Sequence, residues 1–62
     1  MKTESMQWYL SLDINLRINA KTCFELLTGI RFEDLSFMFS FKERLGIMYN
    51  KLKLEGFQLW QR

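Results

Sequence analysis

The sequence predicts an α+β fold: a small single domain in the order β-α-α-β, with a long N-terminal strand, a short helix, a long or broken second helix and a short C-terminal strand. Three observations predict it. Trp8, Leu10, Leu12, Ile14, Leu16 and Ile18 occupy every second position, with Tyr9, Ser11, Asp13, Asn15 and Arg17 between them, which is the period of a half-buried strand. Ala20, Cys23, Phe24 and Leu27 follow at the spacing of one helical face. Leu35, Met38, Phe41, Leu45, Met48 and Leu52 then recur at intervals of three or four, close to a heptad rhythm.

Taken in order, residues 1–6 are polar apart from two methionines and read as a flexible tail. Residues 8–18 read as the strand, bent or bulged near Asp13, a poor strand former. Asn19 has the short polar side chain of a helix N-cap. Gly29 supplies the stop, since glycine takes the left-handed conformation that closes a helix. Glu33 and Asp34 suit the positive end of the next helix. Residues 32–52 form either one helix, with Gly46 tolerated at a cost of about 1 kcal/mol, or two helices broken at Ser40-Phe41-Lys42. Phe37, Phe39, Phe41 and Ile47 lie off the main seam, so burial on two sides is expected. The apolar phase shifts at Gly56, predicting a bulge or turn, and residues 57–60 read as a strand antiparallel to the first.

At 62 residues the chain is one domain, covering residues 1–62, and it leaves roughly 40% of its unfolded surface exposed. Chains of this size draw on disulfides, metals or oligomerisation. Cys23 is the only cysteine and there is no histidine, so oligomerisation remains: a homodimer through strand or helix pairing. A hydrophobic content of 48% excludes a disordered chain. No apolar run approaches the ~20 residues that span a bilayer and no leader peptide is recognisable. The expectation is a cytoplasmic protein with no membrane partner. Charge is uneven. Four basic residues face five acidic ones up to Phe41, and five face two from Lys42 onward.

Absences limit the chemistry. Without histidine the commonest general base and metal ligand are missing. Cys23 lies on an apolar stripe and reads as a buried, inert thiol. Zinc sites need several Cys and His ligands, and Gly29, Gly46 and Gly56 stand apart, with no phosphate-binding loop. Adjacent Glu33 and Asp34 do not share a helix face. No catalytic residue, cofactor or metal is predicted, and the chain reads as a non-enzyme.

Two binding functions follow. The first is a small protein-interaction protein of regulatory, adaptor or inhibitor type, acting as a homodimer or on another protein. It rests on an unpaired strand edge and on Trp8, Tyr9, Tyr49 and Trp60, aromatics of the kind that anchor interfaces. The second is a DNA-binding regulator. The run Phe32-Glu33-Asp34-Leu35-Ser36, then Arg44-Leu45, then Leu52-Lys53-Leu54-Glu55-Gly56-Phe57-Gln58-Leu59 resembles a winged-helix pattern. That resemblance implies a recognition helix after the turn, a wing starting at 57–60, and phosphate or groove contacts from Lys42, Arg44, Lys51 and Lys53. Phe39-Ser40-Phe41 stands where that family places a small turn residue. A strand followed by two helices also resembles a ribbon-helix-helix dimer, which implies base reading by Asn15 and Arg17. The net charge of +2 is small for a nucleic-acid protein.

Overall fold

The computed structural model describes residues 3–56, and these hold no strand. The fold is small and all-helical, which overturns the expected α+β class. Helix α1 spans Glu4–Leu10, α2 Ile14–Thr28 and α3 Phe41–Lys51. A 3₁₀ helix at Phe32–Phe37 links α2 to α3, and α3 runs into a π-helical turn at Leu52–Gly56. The expected second strand at 57–60 lies outside the described residues.

The alternating segment misleads for a definable reason. A period-two series contains a period-four series, and that subset, carried by α1, the turn after it and the first turn of α2, faces the core. Trp8, Leu12 and Leu16 pack against the core, while Leu10, Ile14 and Ile18 are exposed. Helix formation satisfies backbone groups within the segment, whereas a strand needs neighbours. Local caps divide the run. Asp13, the poor strand former, is the N-cap of α2: its carboxylate accepts from Leu16 N–H at 2.8 Å. Ser11 closes α1, its hydroxyl donating to the Trp8 carbonyl at 2.6 Å. At the same end Arg17 donates to the Tyr9 carbonyl at 3.2 Å and lies 4.9 Å from the centre of the Tyr9 ring, a cation where the helix dipole favours one.

Two other expectations shift. Thr3, placed by the sequence in a polar tail, caps α1 by accepting from Met6 N–H. Asn19 lies exposed within α2 and caps nothing. Gly29 does end α2, at φ +71°. Residues 32–52 take the broken alternative. Ser40 and Glu43 form a reciprocal capping box that starts α3. The phase shift at Gly56, read as a bulge or turn, marks the end of a π-helical turn.

The core draws on every element. Tyr9 comes from α1, Ala20, Cys23 and Phe24 from α2, Phe32 from the 3₁₀ helix, Leu45 and Met48 from α3, and Leu52 from the π turn. Full burial of Phe24, Phe32, Leu45, Met48 and Leu52 stabilises by about 1.5–3 kcal/mol per side chain. Helix α1 packs on α3 where two small residues meet: a Cβ added at Gly46 would stand 3.8 Å from Ser5 Oγ, in ordinary contact.

Two pairs of variants test this arrangement in denaturant unfolding. Gly46→Ala fits without strain in a helical backbone and is expected to stabilise by about 0.5–1 kcal/mol, while Gly29→Ala forces a left-handed residue and costs about 1 kcal/mol. Asp13→Ala removes a cap and costs about 1 kcal/mol. Asn19→Ala, in mid-helix, gains a few tenths of a kcal/mol. A strand over residues 8–18 would instead make Asp13→Ala harmless or favourable.

Candidate protein interface

Three of the four aromatics singled out in the sequence come together. The Trp8 and Tyr49 rings lie 5.0 Å apart and those of Trp8 and Tyr9 6.4 Å apart. Tyr9 is buried, and Trp8 and Tyr49 are half-buried. The Tyr49 hydroxyl donates to Glu4 Oε1 at 2.9 Å. That bond, with partial burial and the charge of Glu4, raises the Tyr49 pKa above its ordinary value. These contacts fasten α1 to α3. Trp60 lies outside the described residues.

The cations proposed for DNA contact divide between two sides. At 3.6 residues per turn, Lys42 and Lys53 fall on one side of α3 and its continuation, and Arg44 and Lys51 on the other. The Lys53 ammonium lies 5.8 Å from the centre of the Tyr49 ring, and Lys51 pairs with Glu55. Arg44 is only 12% exposed, sits 5.0 Å and 5.6 Å from the centres of the Phe32 and Phe41 rings, and pairs with Glu33 at 3.6 Å. Lys42 is exposed. The ribbon-helix-helix reading loses its ribbon, because Asn15 and Arg17 stand on α2, and the first hypothesis loses its strand edge for the same reason.

Groups capable of chemistry are few. Burial raises the Cys23 pKa and disfavours the thiolate. Among the described residues no group of three or more His, Cys, Asp or Glu side chains could hold a metal ion. Glu33 and Asp34 stand in the first turn of the 3₁₀ helix. No helix among the described residues is long and apolar enough to cross a membrane.

What stands out is apolar surface. Phe37, off the heptad seam, is 83% exposed and Met38, a seam residue, 66%, so neither set is wholly buried as the sequence suggested. A groove of about 430 Å³ lies between the end of α2 and the end of α3. Phe24, Ile30, Leu35, Ile47 and Leu54 supply its apolar lining. Leu54 is 81% exposed. The exposed position of Phe37 follows from the helix type, and Met38 is the residue that ends the helix. With three residues per turn, side chains three apart eclipse. Phe32 and Leu35 take the inward ridge, and Asp34 and Phe37 the outward one. The sequence signal was the off-seam position of Phe37, whose direction depended on a 3₁₀ period. Ile30 and Leu54 carried no comparable signal.

No protein-family model matches the sequence, and no curated protein or solved structure resembles it at a significant level.

At the start of α3 the Ser40 backbone N–H, helped by its hydroxyl, holds the Glu43 carboxyl below its usual pKa. A carboxylate depressed in the folded state stabilises above the unfolded carboxylate range, and the contribution disappears as pH falls through the folded value. Glu43→Gln is therefore expected to be less stable than wild type at neutral pH, with the difference closing below about pH 4. Denaturant midpoints of both proteins across that range check it. A gap independent of pH would remove the carboxylate from the cap.

Proposed function

We propose that this chain is a non-catalytic protein-interaction protein that self-associates and serves a regulatory, adaptor or inhibitor role. One observation carries the reading. Among the described residues nine large apolar side chains are exposed, against eight buried apolar residues. Single exposed apolar residues are ordinary, but contiguous apolar surface marks contact with another macromolecule. Phe37 and Met38 are consecutive, and Ile30 and Leu54 border one groove.

Oligomerisation also fits the size of the chain, which has one cysteine and no histidine to staple it. A cytoplasmic setting agrees with a lone, buried thiol. Non-catalytic action is supported by a sequence without histidine and by the burial of its only thiol. The DNA reading gains no support from cations that sit on two sides of α3, three of which, Arg44, Lys51 and Lys53, are drawn to Glu33, Glu55 and aromatic rings.

Sedimentation equilibrium of the full chain over a concentration series tests self-association. The expected result is a mass that rises toward two copies with concentration and changes little with added salt, because the contact is apolar. A single-copy mass at every concentration overturns the proposal of self-association.

A further inference from the structure

We infer that two copies of this chain exchange α1: residues 4–28 straighten into one helix, and each α1 packs on the partner's α3 as it packs on its own in the single copy. This rests on the self-association proposed above and assigns it a surface.

The stretch that carries α1 and α2 has the pattern of one helix. Ser5, Tyr9, Leu12, Leu16, Ala20, Cys23 and Leu27 are buried or packed against the core, at intervals of four, three, four, four, three and four. That is a single helical stripe, and it crosses the bend at residues 11–13 without a slip in phase. Two helices that turn independently have no need of a shared phase. No glycine or proline falls within residues 4–28, so no residue in the stretch breaks a continuous helix.

The bend is held by two side chains. Asp13, extended at ψ 172°, caps α2, while Ser11 keeps a helical backbone and Leu12 N–H still donates to the Tyr9 carbonyl at 3.1 Å. Arg17 donates from Nε to the Tyr9 carbonyl at 3.2 Å and from Nη2 to the Leu10 carbonyl at 3.5 Å. In a continuous helix those two carbonyls accept from the amides of Asp13 and Ile14. Arg17 thus stands in for the hydrogen bonds that straightening forms, and neither carbonyl is left unpaired in either state.

Straightening parts α1 from its own α3. A helix over residues 4–28 is roughly 37 Å long at about 1.5 Å per residue, longer than the 28 Å greatest extent of the described residues. Helix α1 then projects beyond its own body. Trp8 leaves Tyr49, Tyr9 leaves Phe41, Ser5 leaves Gly46, and Glu4 leaves the Tyr49 hydroxyl. The α3 of a second copy offers all of these groups in the same places. Each copy gives one α1 and receives one, so the exchange is reciprocal about a two-fold axis and closes at two copies.

A disulfide distinguishes this exchange from any other dimer. Ser5→Cys with Gly46→Cys, in a Cys23→Ala background, places two thiols across the α1–α3 contact, where a Cβ added at Gly46 stands 3.8 Å from Ser5 Oγ, within reach of a disulfide. The full chain is separated by size-exclusion chromatography, and each fraction is oxidised and run on a denaturing gel without reductant. The two-copy fraction is expected to give chains linked in pairs, and the single-copy fraction single chains. Single chains from the two-copy fraction overturn the inference but leave self-association standing through another surface. Ile14→Pro supplies a second test. Proline suits the bent form, because it is favoured at the first helical position and Asp13 before it is already extended. In the continuous helix it removes the bond to the Leu10 carbonyl and collides with that carbonyl. Ile14 is 64% exposed, so the fold is retained, and far-UV circular dichroism verifies it. In sedimentation equilibrium the variant is expected to dimerise at least about tenfold more weakly than wild type. Unchanged dimerisation overturns the inference. A wild type that stays single-copy overturns both the exchange and the self-association on which it rests.

Discussion

The burial of Phe32 is the constraint on which the other contacts depend. Its ring, fully buried, meets Phe24 and Phe41 edge-on at 6.4 and 6.2 Å, joining α2 to α3 through a residue that belongs to neither. Its backbone N–H donates to Glu25 Oε2 at 2.8 Å, so the start of the 3₁₀ helix is capped from α2. Lys21 and Arg44 lie near the ring, 5.1 and 5.0 Å from its centre, and both pair with Glu33. Edge-to-face rings contribute about 0.5–1.5 kcal/mol beyond area, and cations over rings add to that where water is displaced. Register follows from this point. With Phe32 fixed inward, a period of three sends Leu35 toward the groove and Phe37 toward solvent.

Arg44 shows what the arrangement costs. Its Nε is buried and has no hydrogen-bond partner, while the guanidinium lies beside two rings and a carboxylate. An unmade hydrogen bond at a charged group is expensive. Arginine tolerates this better than lysine because its planar, weakly hydrated head stacks on aromatic faces. The residue that the sequence offered as a phosphate contact is thereby largely consumed in holding α3 against the 3₁₀ helix.

How far the sequence discloses this fold depends on which signals were local. Gly29 and the acidic pair Glu33-Asp34 were legible because a left-handed cap and a first-turn charge need only their own neighbours. The capping box of Ser40 and Glu43 was equally local, and reading it would have decided between one helix and two over residues 32–52. The stretch 8–18 was misread because an alternating pattern does not say whether it continues as one strand or is divided between two helices that turn only Trp8, Leu12 and Leu16 to the core. Asp13 held the answer. A short acid in mid-strand is an anomaly, whereas the same residue before Ile14 is an N-cap. At the candidate interface, Trp8, Tyr9 and Tyr49 were recognised as a set, yet they join α1 to α3. The groove was invisible, since it is assembled from Phe24, Ile30, Leu35, Ile47 and Leu54 on four separate stretches of chain.

Short length ties the core to the exposed surface. A chain this small cannot enclose most of its apolar residues, because surface falls more slowly than volume as chains shorten. Helices α1, α2 and α3 are about two, four and three turns long, and each buries one stripe. With no fourth helix among the described residues to cover the outer side of α2, Ile14, Ile18 and Leu26 stay in water. Ile14 and Ile18 are neighbours one turn apart on α2, and Leu26 stands two turns further along. Phe37 and Met38 are consecutive, and the backbone N–H groups of residues 38–40 are all hydrogen-bonded. Neither side chain contributes to the core, so a pair of large apolar groups here costs solubility without adding to the stability of the single chain.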